Sequence, residues 1–275
     1  MITPCGITFF GMTTLKSPVF AQAKMAPKIQ KKYLQIDNRM KNIQIVYENE
    51  EILLINKEAG MSVQGGAGIA HPLDEELSKQ LGYKVFLVHR LDKETSGLMV
   101  VAKSAAAANK WIGLIAGKQV KKEYTAVCFG LPCVNGKTAL AGTLKDNVVK
   151  AGRELNAVTD FKVLKSGKVK IVPESEIAVK NTKSAFESEE IGLSVLHLTL
   201  GTGRMHQIRI HLAKAGCPIV QDDKHGNFKL NKKARKLGLK RLCLAATTIT
   251  LPVDGKKTVF NVELPEHIKK AVELL

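Results

Sequence analysis

The stretch VHRLDKETSGLMVVAK, residues 88–103, decides how the rest of this chain is read. A basic pair, His89-Arg90, is followed by a carboxylate at Asp92, and Thr95-Ser96-Gly97 has the composition of a turn. An apolar run then leaves the turn, from Leu98 to Ala102. The pattern predicts strand, loop, strand, with Asp92 at the mouth of a sheet. A charged loop on a rigid apolar frame is a frequent setting for catalytic side chains. Taken alone, HRLD fits a surface ion pair or a turn cap as well.

Upstream, IQIVYENEEILLINK (residues 43–57) alternates and then runs apolar, which predicts two strands around a polar turn at 48–51. GMSVQGGAG (60–68) is a glycine-rich connection; it has neither the dinucleotide-binding fingerprint nor a phosphate-loop pattern. Leu73, Leu77 and Leu81 share a helix face that Pro72 opens and Gly82 closes. A strand from Phe86 to Val88 leads into the Asp92 loop.

Downstream, Ser104 is placed to cap a helix through Ala116, with Trp111, Leu114 and Ile115 turned inward. KKEYTAVCFG (121–130) predicts a strand with Tyr124, Ala126 and Cys128 on one side. Residues 157–164 predict another, and the polar stretch 165–190 a strand pair with a long surface insertion. Residues 193–200 form a strand that breaks at Gly201-Thr202-Gly203. RMHQIRIHLAKAG (204–216) predicts a helix with Ile208, Leu212 and Ala215 on its apolar face. Arg204, His206 and Arg209 lie near its N-terminal end, where free backbone N–H groups attract anions. Residues 229–241 carry seven basic side chains, either a solvated face or a phosphate-contact surface. A strand over 241–251 and a helix over 263–275 close the chain, and no internal repeat is present.

A chain of 275 residues can bury a substantial core. No apolar run is long enough to span a bilayer. Its net charge of +17, from 42 basic and 25 acidic residues, favours a polyanionic partner, most simply a nucleic acid backbone. An anionic membrane surface would also suit that charge, but no basic amphipathic helix with bulky apolar anchors stands out. The five cysteines, Cys5, Cys128, Cys133, Cys217 and Cys243, include no C-x-x-C pair, which argues against a disulfide framework or a zinc site. Reduced, buried thiols in an intracellular protein are the expectation. Residues 1–40 have no acid and no arginine before Asp37. They are expected to be a poorly structured extension, an organellar transit peptide, or the product of a start codon upstream of Met25 or Met40.

Four stretches together resemble one family. HRLDKETSGLMVVAK resembles the H-R-L-D-x-x-T-S-G-L motif of the RluA-type pseudouridine synthases. KKEYTAVCFG is similar to their K-x-Y-x-A-x-V-x-G strand. GTGRMHQIRIHLAKAGCPIVQDDKHG (201–226) resembles their T-G-R-x-H-Q-I-R-x-H segment and the G-D-x-x-Y-G after it. RLCLAATTITLPV (241–253) is similar to their L-x-L-H-A closing strand. Three positions depart from the pattern: Gln221 for glycine, His225 for the aromatic of Y-G, and Ala245 for histidine.

The resemblance implies an α+β fold: a mixed, largely antiparallel central sheet with flanking helices and an RNA-binding cleft. Residues 41–275 would be the catalytic domain, and residues 1–40 are too few for the S4 RNA-binding domain of many relatives. The implied reaction is isomerisation of uridine to pseudouridine, without metal or other cofactor. Asp92 would be the catalytic carboxylate, attacking C1′ or removing a proton from C2′; the sequence leaves both routes open. Arg209 would pair with Asp92 and keep it ionised. Tyr124 would stack on the uracil, with Lys122 supporting the pocket. Arg90 would fill the space left by a flipped nucleotide, and Leu244 would pack beside the base. The partner would be RNA, ribosomal RNA first and transfer RNA as the alternative, met by a cytoplasmic monomer. Two other classes are a non-catalytic RNA-binding protein and a glycosidase. The first has no need of a buried carboxylate; the second lacks a well-placed second acid, since Glu94 falls in the turn.

Overall fold

The computed structural model describes residues 42–66, 68–150, 153–171 and 189–275. The expected extension 1–40 lies outside these, as does most of the surface insertion expected within 165–190.

A ten-stranded sheet forms the frame, in the order β1-β2-β4-β11-β5-β10-β9-β8, with β3 pairing β4 and β12 pairing β11. Its strands are β1 (Gln44–Glu48), β2 (Ile52–Lys57), β3 (Phe86–Leu87), β4 (Ser96–Ala102), β5 (Lys121–Phe129), β8 (Ala141–Lys150), β9 (Arg153–Ile171), β10 (Glu189–Leu200), β11 (Leu244–Val253) and β12 (Lys256–Asn261). A small ribbon of β6 (Cys133–Val134) and β7 (Lys137–Thr138) stands apart. Only the β4–β11 pair is parallel; the other pairs are antiparallel. The mixed, largely antiparallel sheet that the family resemblance implies is therefore present.

The helices are α1 (Leu73–Leu81), α2 (Ala105–Ala116), α3 (Gln207–Lys214), α4 (Phe228–Lys236) and α5 (Glu266–Glu273). The Ser104 hydroxyl accepts from the Ala107 N–H at the start of α2, and Gly82 closes α1 in a left-handed conformation. Trp111 of α2 belongs to the same buried core cluster as Ile52, Leu54, Leu98, Val100, Ile249 and Leu251. Its indole N–H meets Glu51 at 3.0 Å, which satisfies the polar end of an otherwise buried ring.

β4 is buried along its whole length, as a central strand with apolar neighbours on both sides must be. It begins at Ser96, so Ser96 and Gly97 are strand residues rather than part of the turn expected at 95–97. The turn lies earlier, closed by the Thr95 N–H donating to the Asp92 carbonyl at 3.1 Å. Gly97 has φ +107°, and a Cβ there would lie 2.2 Å from the Ala246 carbonyl oxygen. That close approach is what lets β4 and β11 run parallel right up to the loop. One rung then crosses the sheet: Lys57, Gly97, Ala246, Tyr124, Leu198. It sets Lys57 and Tyr124 on either side of β4, the strand that follows the Asp92 loop.

Candidate active site

Asp92 sits in the loop before β4, with its side chain about one quarter exposed at 25%. Arg209, from the first turn of α3, donates Nη1 to Asp92 Oδ2 at 3.2 Å. The same guanidinium is fastened from behind by Asp222: Nε to Oδ2 at 2.8 Å and Nη2 to Oδ1 at 2.6 Å. Asp222 is buried and also accepts the backbone N–H groups of Lys224 and His225, each at 3.0 Å. Burial works against a charged Asp222, but the Arg209 bonds and these two N–H groups outweigh it and hold the carboxyl below its ordinary range. Arg209 responds in the same way: burial opposes its charge, and its two carboxylates keep it ionised.

The approach to α3 is fixed by polar locks. The Thr202 hydroxyl donates to Gln207 Oε1 at 2.7 Å and accepts from the Val158 N–H at 3.0 Å. Gln207 Nε2 reaches the Val158 carbonyl and the Thr159 hydroxyl at 2.9 and 3.0 Å. These bonds tie the loop to β9. The helix starts at Gln207, three residues later than its basic sequence suggests, because His206 takes a left-handed conformation (φ 54°, ψ 20°) at its N-cap. His206 Nε2 lies 3.8 Å from Asp92 Oδ1, and its Nδ1 is 2.9 Å from His225 Nε2.

Tyr124 is buried, and burial together with the nearby Asp92 charge raises its phenol pKa, so it stays a neutral phenol near neutral pH. Lys122, two residues earlier, is also largely desolvated, which lowers its pKa; its Nζ lies 3.5 Å from where a Cβ on Gly203 would sit. Leu244 opens β11 as a buried residue paired with Ala126. Arg90 is exposed at the entrance of the Asp92 loop. Of the six residues expected at the site, Asp92 and Arg209 make direct contact and Tyr124 feels the Asp92 charge.

Sequence reasoning missed four contributors. Asp222 stands 13 residues beyond Arg209 in a loop, with no periodicity to link them. Lys57 is buried at the end of β2, and its Nζ donates to the carbonyls of Glu58, Met61 and Lys93 at 2.9, 2.9 and 3.0 Å. The last of these braces the residue after Asp92. Burial pushes the Lys57 pKa down to about 8 against the pull of Glu94 and Asp92. His89 is no partner in a basic pair: desolvation, then the Lys122 charge, push it down to about 3, and its Nε2 accepts the Val100 N–H at 3.0 Å. His206 was expected only as a charge near a helix end, yet it faces Asp92.

The basic stretch 229–241 is partly used inside the protein. Lys233 pairs with Glu189 at 2.8 Å, and Arg235 donates to Gln221 at 3.2 Å. Among the described cysteines, Cys128, Cys217 and Cys243 are buried free thiols; Cys133 is exposed, contrary to expectation, because the β6–β7 ribbon lies off the main sheet. No helix among the described residues is long and apolar enough to cross a membrane. Among the described residues, no cluster of His, Cys, Asp and Glu could hold a metal ion.

Comparison with known proteins bears directly on this geometry. The sequence profile of the RNA pseudouridylate synthase family matches residues 51–214, from the start of β2 to the end of α3. The chain belongs to this family. It is an RNA pseudouridine synthase, an isomerase. It is 34% identical over 250 residues to "Ribosomal large subunit pseudouridine synthase C" of Rickettsia felis, covering 89% of this chain and 72% of that one. The protein of the same name from Haemophilus influenzae is 32% identical over 236 residues, covering 84% and 68%. Among solved structures, human RNA pseudouridylate synthase domain containing 4 has the same fold: TM-score 0.61 at 22% identity, over 84% of this chain and 92% of that one.

Two of this synthase's departures from the family pattern have a physical account. Gln221 has φ +59°, a conformation that suits glycine. Its side chain compensates: Nε2 donates to the carbonyls of Asn231 and Leu239 at 2.9 and 2.7 Å, and Oε1 accepts from Arg235. Asn231 in turn donates to the Asp222 carbonyl at 3.0 Å, so α4 is latched to the turn that holds Arg209. Ala245 is fully buried between Ser96 and Thr125, and the Ser96 hydroxyl has no hydrogen-bond partner among the described residues. A larger polar side chain at 245 would have stood beside that hydroxyl.

Proposed function

We propose that this synthase isomerises a uridine of large-subunit ribosomal RNA, with Asp92 as the catalytic carboxylate. The observation that carries the chemistry is Arg209 spanning Asp92 and Asp222. A guanidinium clamped from one side by a saturated carboxylate presents a remaining N–H to the other, which is thereby oriented and stays accessible. The choice of RNA rests on the relatives from Rickettsia and Haemophilus, which are named for the large ribosomal subunit.

The reaction breaks N1–C1′ and forms C5–C1′; a proton leaves C5 and one is gained at N1. Electrons are conserved, so the reaction calls for no redox cofactor. Asp92 either attacks C1′ or removes the C2′ proton, and both routes use the same ionised carboxylate. Deuterium at C2′ separates them: proton removal gives a primary isotope effect and direct attack gives none. Tyr124, a neutral phenol, stacks on the uracil, with Lys122 and Leu244 lining the same pocket. The target base leaves its stack to reach Asp92, and exposed Arg90 occupies the vacated place. Lys229, Lys232, Lys240 and Arg241 supply phosphate contacts. Residues 41–275 act as the catalytic domain of a monomer in the cytoplasm.

Pseudouridine mapping of total RNA from cells with and without the gene tests the reading. One site lost from large-subunit RNA, restored by the wild-type gene and not by Asp92→Asn, is the expected result. A lost transfer RNA site would overturn the target, and restoration by Asp92→Asn would overturn the mechanism.

A further inference from the structure

We infer that His225 is a positioning residue for the isomerisation, acting through His206 on Asp92; the inference rests on Asp92 being the catalytic carboxylate. The Asp92 carboxylate has two oxygens with different neighbours. Oδ2 receives Arg209 Nη1 at 3.2 Å, and Oδ1 faces His206 Nε2 at 3.8 Å. Behind His206, its Nδ1 and His225 Nε2 are 2.9 Å apart, with the rings edge to face and their centres 5.1 Å apart. Between two nitrogens at that distance there is room for one hydrogen, so one ring donates and the other accepts.

The carboxylate decides which. If His206 donated from Nδ1, its neutral ring would turn a lone pair at Nε2 toward the Asp92 oxygen, and the two would repel. If His225 donates from Nε2, His206 carries its hydrogen on Nε2 and points it at Asp92 Oδ1. The second arrangement lowers the energy at both ends of the chain of contacts. A neutral His206 is favoured as well: desolvation lowers its pKa, and Arg209, His225 and Lys224 add to that against the pull of Asp92. His225 in turn is held by its own backbone N–H, which donates to Asp222 at 3.0 Å. The turn that clamps Arg209 on one Asp92 oxygen thus also supplies the group that orients His206 toward the other.

The sequence departs from its family at this position, where the pattern has the aromatic of Y-G. A phenol can donate to His206 Nδ1 as an imidazole N–H does, and a phenyl ring cannot. His225→Tyr and His225→Phe therefore differ by one hydroxyl and isolate the donor from the bulk. Single-turnover rates on the mapped RNA are expected to fall roughly 10- to 100-fold in His225→Phe, through loss of alignment at the reacting carboxylate. His225→Tyr is expected to recover most of that loss, with RNA affinity unchanged in both. Nitrogen-15 NMR of the imidazoles, which needs no activity, is expected to show His206 protonated at Nε2 in the wild type and a tautomer mixture in His225→Phe. His206 protonated at Nδ1 in the wild type, or equal rates for the Phe and Tyr variants, would overturn the inference. A wild-type protein that forms no pseudouridine would sink the reaction reading instead, while the NMR result would still decide the hydrogen bond.

Discussion

Arg209 joins two loops that present carboxylates in opposite conditions. In the turn after α3, Asp222 is 1% exposed and receives four hydrogen bonds, two from the guanidinium and two from backbone N–H groups. In the loop before β4, Asp92 is 25% exposed and receives one longer bond. The first carboxylate has little bonding capacity left; the second keeps most of its lone pairs for something else. An anchor and a reactive group can thus be the same residue type, told apart by how completely each is satisfied. The loops are also braced differently. Asp222 is held through its own side chain and through Asn231, whereas the Asp92 loop is held by Lys57 gripping the Lys93 carbonyl.

The sharpest way to break this contrast is to neutralise each carboxylate in turn. Asp92→Asn is expected to lower the single-turnover rate by at least about 1,000-fold and leave the melting temperature nearly unchanged. Asp222→Asn is expected to cost about 3 kcal/mol of stability, because it leaves Arg209 buried with half its partners, and to reduce activity as well. The native Asp222 pKa lies below the unfolded value, so its contribution is complete above the ordinary carboxylate range. It is lost as pH falls through the native value. Urea titrations at acid pH should show a shallower pH dependence in Asp222→Asn than in the wild type.

The brace beneath Asp92 is tested by Lys57→Met, which frees three carbonyls and is expected to cost about 1–3 kcal/mol and roughly tenfold in rate. Its pH signature has the same sign but falls in the alkaline range. Native Lys57 titrates at about 8 and an unfolded lysine at 10.5, so between them the unfolded chain binds more protons and stability rises with pH. Lys57→Met should remove that rise.

The α4 latch is sharpened by two substitutions at Gln221. Ala loses the side-chain bonds and keeps the left-handed strain, so a loss of about 2–3 kcal/mol is expected; Gly should be about 1 kcal/mol less harmful because it relaxes the backbone. Thermal melts of the pair would expose an error if Ala were the milder change. The smallest effect is expected for Ser96→Ala, within about 0.5 kcal/mol by chemical denaturation, since the hydroxyl removed has no partner among the described residues.

How much was legible varied with position in the sheet. The central strand β4 announces itself because both faces are covered, which forces a near-continuous apolar run; in β5 only the second half, Ala126–Phe129, is such a run. Helices α1 and α2 carry explicit stop and start signals in Gly82 and Ser104. The sequence reading found neither β8 nor β12. AGTLKDNVVK is an outer strand of the sheet, and KKTVFN alternates weakly with few buried positions; each is strand because a neighbour offers backbone partners. At the site, the roles of Asp92, Arg209 and Tyr124 were readable from motifs. His206, Asp222 and His225 lie within a motif stretch and Lys57 lies outside any, but the roles of all four were not readable, since each acts through a partner in another element.

By itself, then, the amino-acid order determined the central strands, the helix ends, the basic charge and the motifs that place this chain among the pseudouridine synthases. Those features are local: periodicity, caps and short spacings report what one segment must bury or expose. Only the tertiary structure decided that Arg209 meets Asp92 across 117 residues of sequence, with Asp222 behind it. It also decided that His89 is neutral while the buried Lys57 grips three carbonyls. Charge state and hydrogen-bond saturation depend on the groups brought around a side chain, and those arrive from elements far apart in the chain.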